Sequence, residues 1–131
     1  YIFDGWYTDE ACTQNFTGTP TANSTYYAKW SEIIAEVDGT GCTSLAAAVA
    51  VANDKTIKLL KDVTEAITIP AGKTITLDLN GHTLVDSATV QDENAAENSR
   101  KHTITNNGTL TILDSVGTGV VDNVSHGRAA L

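Results

Sequence analysis

The sequence predicts a mainly β fold: a parallel β-helix whose start is capped by one short α-helix. Three observations predict it. From Lys55 onward apolar residues recur with period two, the spacing of a strand with one buried face. "GKTITLDLNG" (Gly72 to Gly81) is echoed by "NGTLTILDSV" (Asn107 to Val116), with Ile75 falling on Leu110, Thr76 on Thr111, Leu77 on Ile112 and Leu79 on Asp114. That offset of 35 residues is too long for one hairpin and marks stacked coils. Just before the first strand stands a single helix candidate, and a solenoid end needs such a cover for its bare strand edge.

Residues 1–30 hold two strand-like pieces joined by a long loop of Gly, Pro, Asn and Thr, which is turn chemistry. Phe3, Trp6 and Tyr7 form one aromatic group, and Tyr26, Tyr27 and Trp30 another. A lone hairpin is marginal in water, so these rings must pack on something. Residues 31–43 read as a connector with a turn at Asp38–Gly41. The helix is expected from Ser44 to about Asn53. Thr43 or Ser44 caps it, and Leu45, Val49 and Ala52 share one face. Strands follow in 56–63, 66–72, 73–85, 102–116 and 119–124, with residues 86–101 as a polar loop.

"Asn80-Gly81" admits two readings. Asn and Gly both tolerate positive φ, which suits the sharp corners of stacked coils, and Asn107-Gly108 would be a second corner. Asn-Gly is also the strongest short hairpin signal, and then Leu77–Leu79 would pair antiparallel with Thr83–Val85. The echo favours the corner.

Composition narrows the function. A net charge of −8 repels phosphate backbones, so no nucleic-acid partner is expected. No apolar run reaches the roughly 18 residues of a membrane span, so no membrane insertion is expected. Both tryptophans and all the tyrosines fall before residue 31, which sets the first thirty residues apart. The chain opens at Tyr1 within a β-like pattern and reads as a piece of a longer, exported protein. Cys12 and Cys42 lack ligand-spaced partners for a metal. A disulfide between them would close a loop of about 30 residues and stabilise by roughly 3–4 kcal/mol; two separate buried thiols are the alternative.

Each candidate site has a plain alternative. His82 lies near Asp78, and such a pair can do acid–base work, but no Ser or Cys nucleophile stands beside it. Asp78, Asp114 and Asp122, with Arg100, Lys101 and Arg128, are the groups a polysaccharide-cleaving β-helix enzyme would use. His102 and His126 are isolated. Asp86, Asp92, Glu93 and Glu97 could offer oxygen ligands to calcium, but without the Gly-centred spacing of a calcium loop. Trp6, Tyr7 and Trp30 are candidates for stacking on glycans, or for a small core. Asp92, Glu93, Asn94, Glu97 and Asn98 form the expected ligand-contact loop. No cofactor and no catalytic residue is expected.

Two segments resemble known families. "FDGWYTDEACTQNFTG" and "ANSTYYAKW" resemble the closing half of the Listeria–Bacteroides repeat, through Phe3, Gly5, Trp6, Tyr7, Asp9, Asn23, Tyr27, Ala28 and Trp30. Residues 42–131 resemble the opening of right-handed, pectate-lyase-like parallel β-helix domains. The resemblance implies residues 1–30 as a partial β-repeat, 31–43 as connector, and 44–131 as helix cap and first coils. It implies a modular, extracellular bacterial protein, cell-wall-anchored or secreted, and an adhesin. Its work would be non-enzymatic: presenting loops to a host protein or glycan. The alternative is the cap region of a polysaccharide-degrading lyase or hydrolase. An open far end, near Val120 and Leu131, would invite end-to-end self-association.

Overall fold

The computed structural model describes residues 1–87 and 102–124. The chain divides into two units, Tyr1–Ile33 and Ile34–Leu131. Among the described residues the fold is mainly β, with one short helix.

In the first unit, β1 (Ile2–Tyr7) pairs antiparallel with β2 (Tyr27–Ser31). Gly5, at φ 132°, takes up a bulge between Phe3 and Gly5. Cross-strand partners share a face, so Trp6 with Ala28 and Phe3 with Trp30 lie on one side. Tyr7 with Tyr27 lies on the other. The long connection is tied by its own polar groups. The Asp9 carboxylate accepts from the Thr13 amide (3.0 Å), the Thr13 hydroxyl (2.7 Å) and the Gln14 amide (2.7 Å).

The second unit is layered. β5 (Lys55–Leu59), β6 (Val63–Thr64) and β7 (Ile67–Ile69) form the first layer. β8 (Thr74–Asp78), β9 (Thr83–Val85) and β10 (Ile104–Asn106) form the second. β11 (Thr109–Leu113) and β12 (Val120–Asp122) begin the third. Strands stack in parallel across layers: β5, β8 and β11 in one sheet, β6, β9 and β12 in another, β7 and β10 in a third. Ile75 lies beside Leu110, Thr76 beside Thr111 and Leu77 beside Ile112, the register of the echo. β8 and β9 do not pair with each other, so Asn80-Gly81 is not a hairpin.

Inward residues form ladders. Ile57, Leu77 and Ile112 stack in one, and Val63, Leu84 and Val121 in another. Ile57, Leu77, Val63 and Leu84 are buried. Each such side chain contributes roughly 1.5–3 kcal/mol of hydrophobic stabilisation.

The two Asn-Gly corners need glycine for different reasons. At the first, Asn80 (φ 50°) and Gly81 (φ 82°) are both left-handed, and the His82 amide closes the turn on the Leu79 carbonyl (2.9 Å). At the second, contrary to expectation, neither residue has positive φ. There a Cβ on Gly108 would stand 2.5 Å from the carbonyl oxygens of Pro70 and Lys73 in the layer beneath. Glycine is required by close approach.

Residues 35–42, expected within the connector, form strands instead: β3 (Ala35–Val37) and β4 (Thr40–Cys42). β3 pairs antiparallel with both β4 and β5, covering the outer edge of β5. Three-residue strands are too short for a period to announce them, but Ala35 and Val37 are buried in the common core.

Helix α1 (Leu45–Val51) is held at both ends by charge. Seven residues are too few for a stable isolated helix. Ser44 caps it through Ala47 N–H (3.1 Å), while Glu65 accepts from the amides of Leu45 (2.8 Å) and Ala46 (2.9 Å). At the other end the Lys73 ammonium donates to the carbonyls of Val49 (2.5 Å), Ala50 (2.6 Å) and Ala52 (3.2 Å). An acid at the positive end and a base at the negative end both complement the helix dipole. Glu65 and Lys73 flank β7, so α1 runs alongside that strand, packed also on β3 and β4.

Lys73→Met keeps most of the aliphatic stem and removes the donor. It is expected to lower stability by about 1–2 kcal/mol. Urea unfolding followed by far-UV circular dichroism checks this, since no tryptophan lies in the second unit. An unchanged midpoint would show that the helix does not depend on the clamp.

Candidate functional site

The candidate surface is the aromatic face of the first unit. Phe3 is the hinge of the group: its ring lies 5.6 Å from Trp6 at 71° and 5.1 Å from Trp30 at 53°. Both indoles remain about half exposed, Trp6 at 50% and Trp30 at 59%. Beside Trp6, a shallow cleft of about 280 Å³ is walled by Phe16, Pro20 and Tyr26. Phe16 and Tyr26 pack at 4.4 Å. The Phe16 amide donates to the Trp6 carbonyl (2.7 Å), which pins the loop next to the indole.

Of the three predicted stacking residues, only Trp6 and Trp30 share this face. Tyr7 is buried on the opposite side, with the Lys29 ammonium 5.2 Å from its ring centre. Strand alternation separates neighbours such as Trp6 and Tyr7. Phe16 and Pro20 escaped the sequence reading because a loop delivers them, and a loop has no period to follow; Tyr26, read there only as one of an aromatic group with Tyr27 and Trp30, joins the cleft wall. An exposed aromatic face with a small apolar cleft suits a ligand with a flat apolar side, such as a sugar ring.

Several described acids of the second unit bond backbone amides. Asp78 Oδ1 accepts from Asn80 N–H (2.9 Å) and from Ser115 N–H (3.0 Å) one layer on. Asp114 Oδ1 accepts from Gly81 N–H (2.7 Å), and its Oδ2 from Gly119 N–H (2.6 Å). Asp86, expected in the polar loop, is fully buried and accepts from Val124 N–H (2.6 Å). Asp122 accepts from Asn123 N–H (2.8 Å). The carboxylate beside His82 is Asp62, 3.5 Å from Nδ1, rather than Asp78. Among the described residues no group of three or more His, Cys, Asp or Glu is placed to hold a metal.

Cys12 and Cys42 are free thiols, one in each unit, and burial raises the pKa of Cys42. Asp92, Glu93, Asn94, Glu97, Asn98, Arg100, Lys101, His126 and Arg128 lie outside the described residues.

Comparison with protein-family models, with curated proteins and with solved structures finds no match.

Both corner carboxyls titrate below the usual range. For Asp78, burial pushes the pKa up, but the amides of Ser115 and Asn80, the Ser115 hydroxyl and the Lys58 charge outweigh it. For Asp114, the Gly119 amide is the largest cause, opposed by desolvation and reinforced by Gly81 and Val116. A carboxyl depressed in the folded state stabilises fully above its unfolded pKa, and that contribution fades as pH falls through the folded value. The urea midpoint of the second unit is therefore expected to drop from about pH 5 downward. Asp114→Asn is expected to start lower and to show a shallower acid slope. Parallel pH profiles for the two proteins would contradict this role.

Proposed function

We propose that the chain is a non-enzymatic structural and adhesive module of a modular bacterial surface protein. Its second unit is the opening of a right-handed parallel β-helix, with α1 and the β3–β4 hairpin as its cap. Its first unit is the closing half of a Listeria–Bacteroides-type repeat. The observation that carries this reading is the parallel, in-register layering of three sheets, with Ile75 beside Leu110. Parallel strands in successive short coils build an extended stack that presents surface along its length.

The bonding of the acids supports the same reading. Asp78 and Asp114 are bound to corner amides, where an enzyme of the polysaccharide-cleaving type would turn carboxylates toward substrate. The coil between β9 and β10 is the long one, because it carries residues 86–101. An insertion in one coil of a solenoid is a natural site for contact with a host protein or glycan.

A binding screen against glycans and host surface proteins tests the proposal. The chain is compared with a variant in which a short Gly/Ser linker replaces residues 88–101, sparing Asp86. A second variant, Trp6→Ser with Trp30→Ser, removes the aromatic face. Binding lost with the linker assigns the contact to the insertion, and binding lost with the tryptophans assigns it to the first unit. Absence of binding across both panels would refute adhesion.

A further inference from the structure

We propose that Asn107 is a site of spontaneous covalent modification: its side-chain amide is lost as ammonia through a succinimide, while Asn80, in the same Asn-Gly dipeptide, is protected by the fold. The inference rests on the two corners and not on adhesion. In this step the Gly108 amide nitrogen gives up its proton and bonds Asn107 Cγ. The Cγ–Nδ2 bond breaks, and ammonia leaves with that proton. Water then opens the ring on either side, to aspartate or to isoaspartate. No oxidant, reductant or other co-reactant takes part. The reaction needs a free Asn side chain and a free amide after it, and glycine puts no Cβ in the path of attack.

Asn80-Gly81 and Asn107-Gly108 are the two Asn-Gly pairs of the chain. At the first, each reacting group is held. Asn80 Nδ2 donates to the Leu59 carbonyl (2.9 Å), and its Oδ1 accepts from the Ser115 hydroxyl (3.4 Å). Gly81 N–H donates to the Asp114 carboxylate (2.7 Å), a charge-assisted bond. At the second, the Asn107 side chain is exposed and bonded to no described residue. Gly108 N–H makes one longer bond (3.1 Å), to the exposed Asn106 side chain, which can open without disturbing a layer. This exposure belongs to the corner and not to the end of the stack. Pro70, Ala71 and Gly72, at the same corner one layer beneath, stay exposed although β10 and β11 stack on the strands that flank them.

The isoaspartyl product runs the main chain through the former side chain and adds a methylene to the corner. The corner has no slack for it. Asn107 N–H donates to the Ile69 carbonyl (2.9 Å) and Thr109 N–H to the Lys73 carbonyl (2.8 Å), so both sides are tied to the layer beneath. Even a Cβ on Gly108 would stand 2.5 Å from two carbonyl oxygens. Conversion therefore loosens β11 from β8.

Peptide mapping by mass spectrometry tests this on the whole chain, aged in mildly alkaline buffer both folded and in urea. In the folded chain Asn107 is expected to convert at least about tenfold faster than Asn80, the rate cost of breaking one charge-assisted hydrogen bond. In urea the two rates are expected to converge. Asp114→Ala, with folding checked by far-UV circular dichroism, is expected to raise the rate at Asn80. Chain carrying isoaspartate at position 107 is expected to unfold at lower urea than Asn107→Asp, which has the same charge without the longer main chain. Equal rates in the folded chain, or faster loss at Asn80, overturn the proposal. So does a difference that persists in urea, which would place its cause in the local sequence and not in the fold. Equal urea midpoints for the isoaspartyl chain and Asn107→Asp would overturn the loosening of β11.

Discussion

Everything in the second unit depends on the parallel register between successive layers. A strand shifted by one residue turns its whole apolar set outward. With Leu77 over Ile57 and Ile112 over Leu77, the inner column is continuous; slipped once, threonines would enter it. The outward residues of β8 and β11 are Thr74, Thr76, Thr109 and Thr111, which tolerate water and favour extended backbone. Polar corners lock the same register. Asp78 reaches the Ser115 amide and Asp114 reaches the Gly81 amide, so the two layers are bonded in both directions at one corner. The Asn80 side chain bonds the Leu59 carbonyl below (2.9 Å), extending the tie to the first layer.

A layered stack has to begin somewhere, and its first edge is the costly one. Here two different devices cover it. An antiparallel hairpin satisfies the backbone of β5, and a helix lies along β7, where its own backbone is already paired internally. The helix is too short to persist alone, so the layer it protects holds it in turn. Glu65 and Lys73, from either side of β7, satisfy its terminal amides and carbonyls. Cover and stack stabilise each other, which makes the start of the unit cooperative.

Much of this was legible in the residues. Period-two alternation located the strands from Lys55, and the echo of 72–81 in 107–116 set the register of β8 against β11. Ser44 and the Leu45/Val49/Ala52 face marked the helix. Other features were not legible because they are long-range. Nothing near Glu65 or Lys73 in sequence announces a helix terminus some twenty residues earlier. The β3–β4 strands are too short to carry a pattern. Acids that looked like chemistry, Asp78 and Asp114, are bonded to amides more than thirty residues away in sequence. On the aromatic face, alternation alone would separate Trp6 from Tyr7, but the loop residues that wall the cleft follow no period.

The second unit is a layered stack covered at its first edge, and the first unit bears two half-exposed indoles. The central claim is the parallel register, and a disulfide trap tests it most directly. Thr76→Cys and Thr111→Cys are introduced together in a Cys12→Ser, Cys42→Ser background. Neighbouring residues of adjacent strands stand about 5 Å apart, within the range a disulfide spans. This pair is expected to close readily under mild oxidation and to raise resistance to urea. A pair offset along the strand, Thr74→Cys with Thr111→Cys, is expected to close far more slowly. Failure of the first pair to close, or equal closure of both, would contradict the register on which the structure rests.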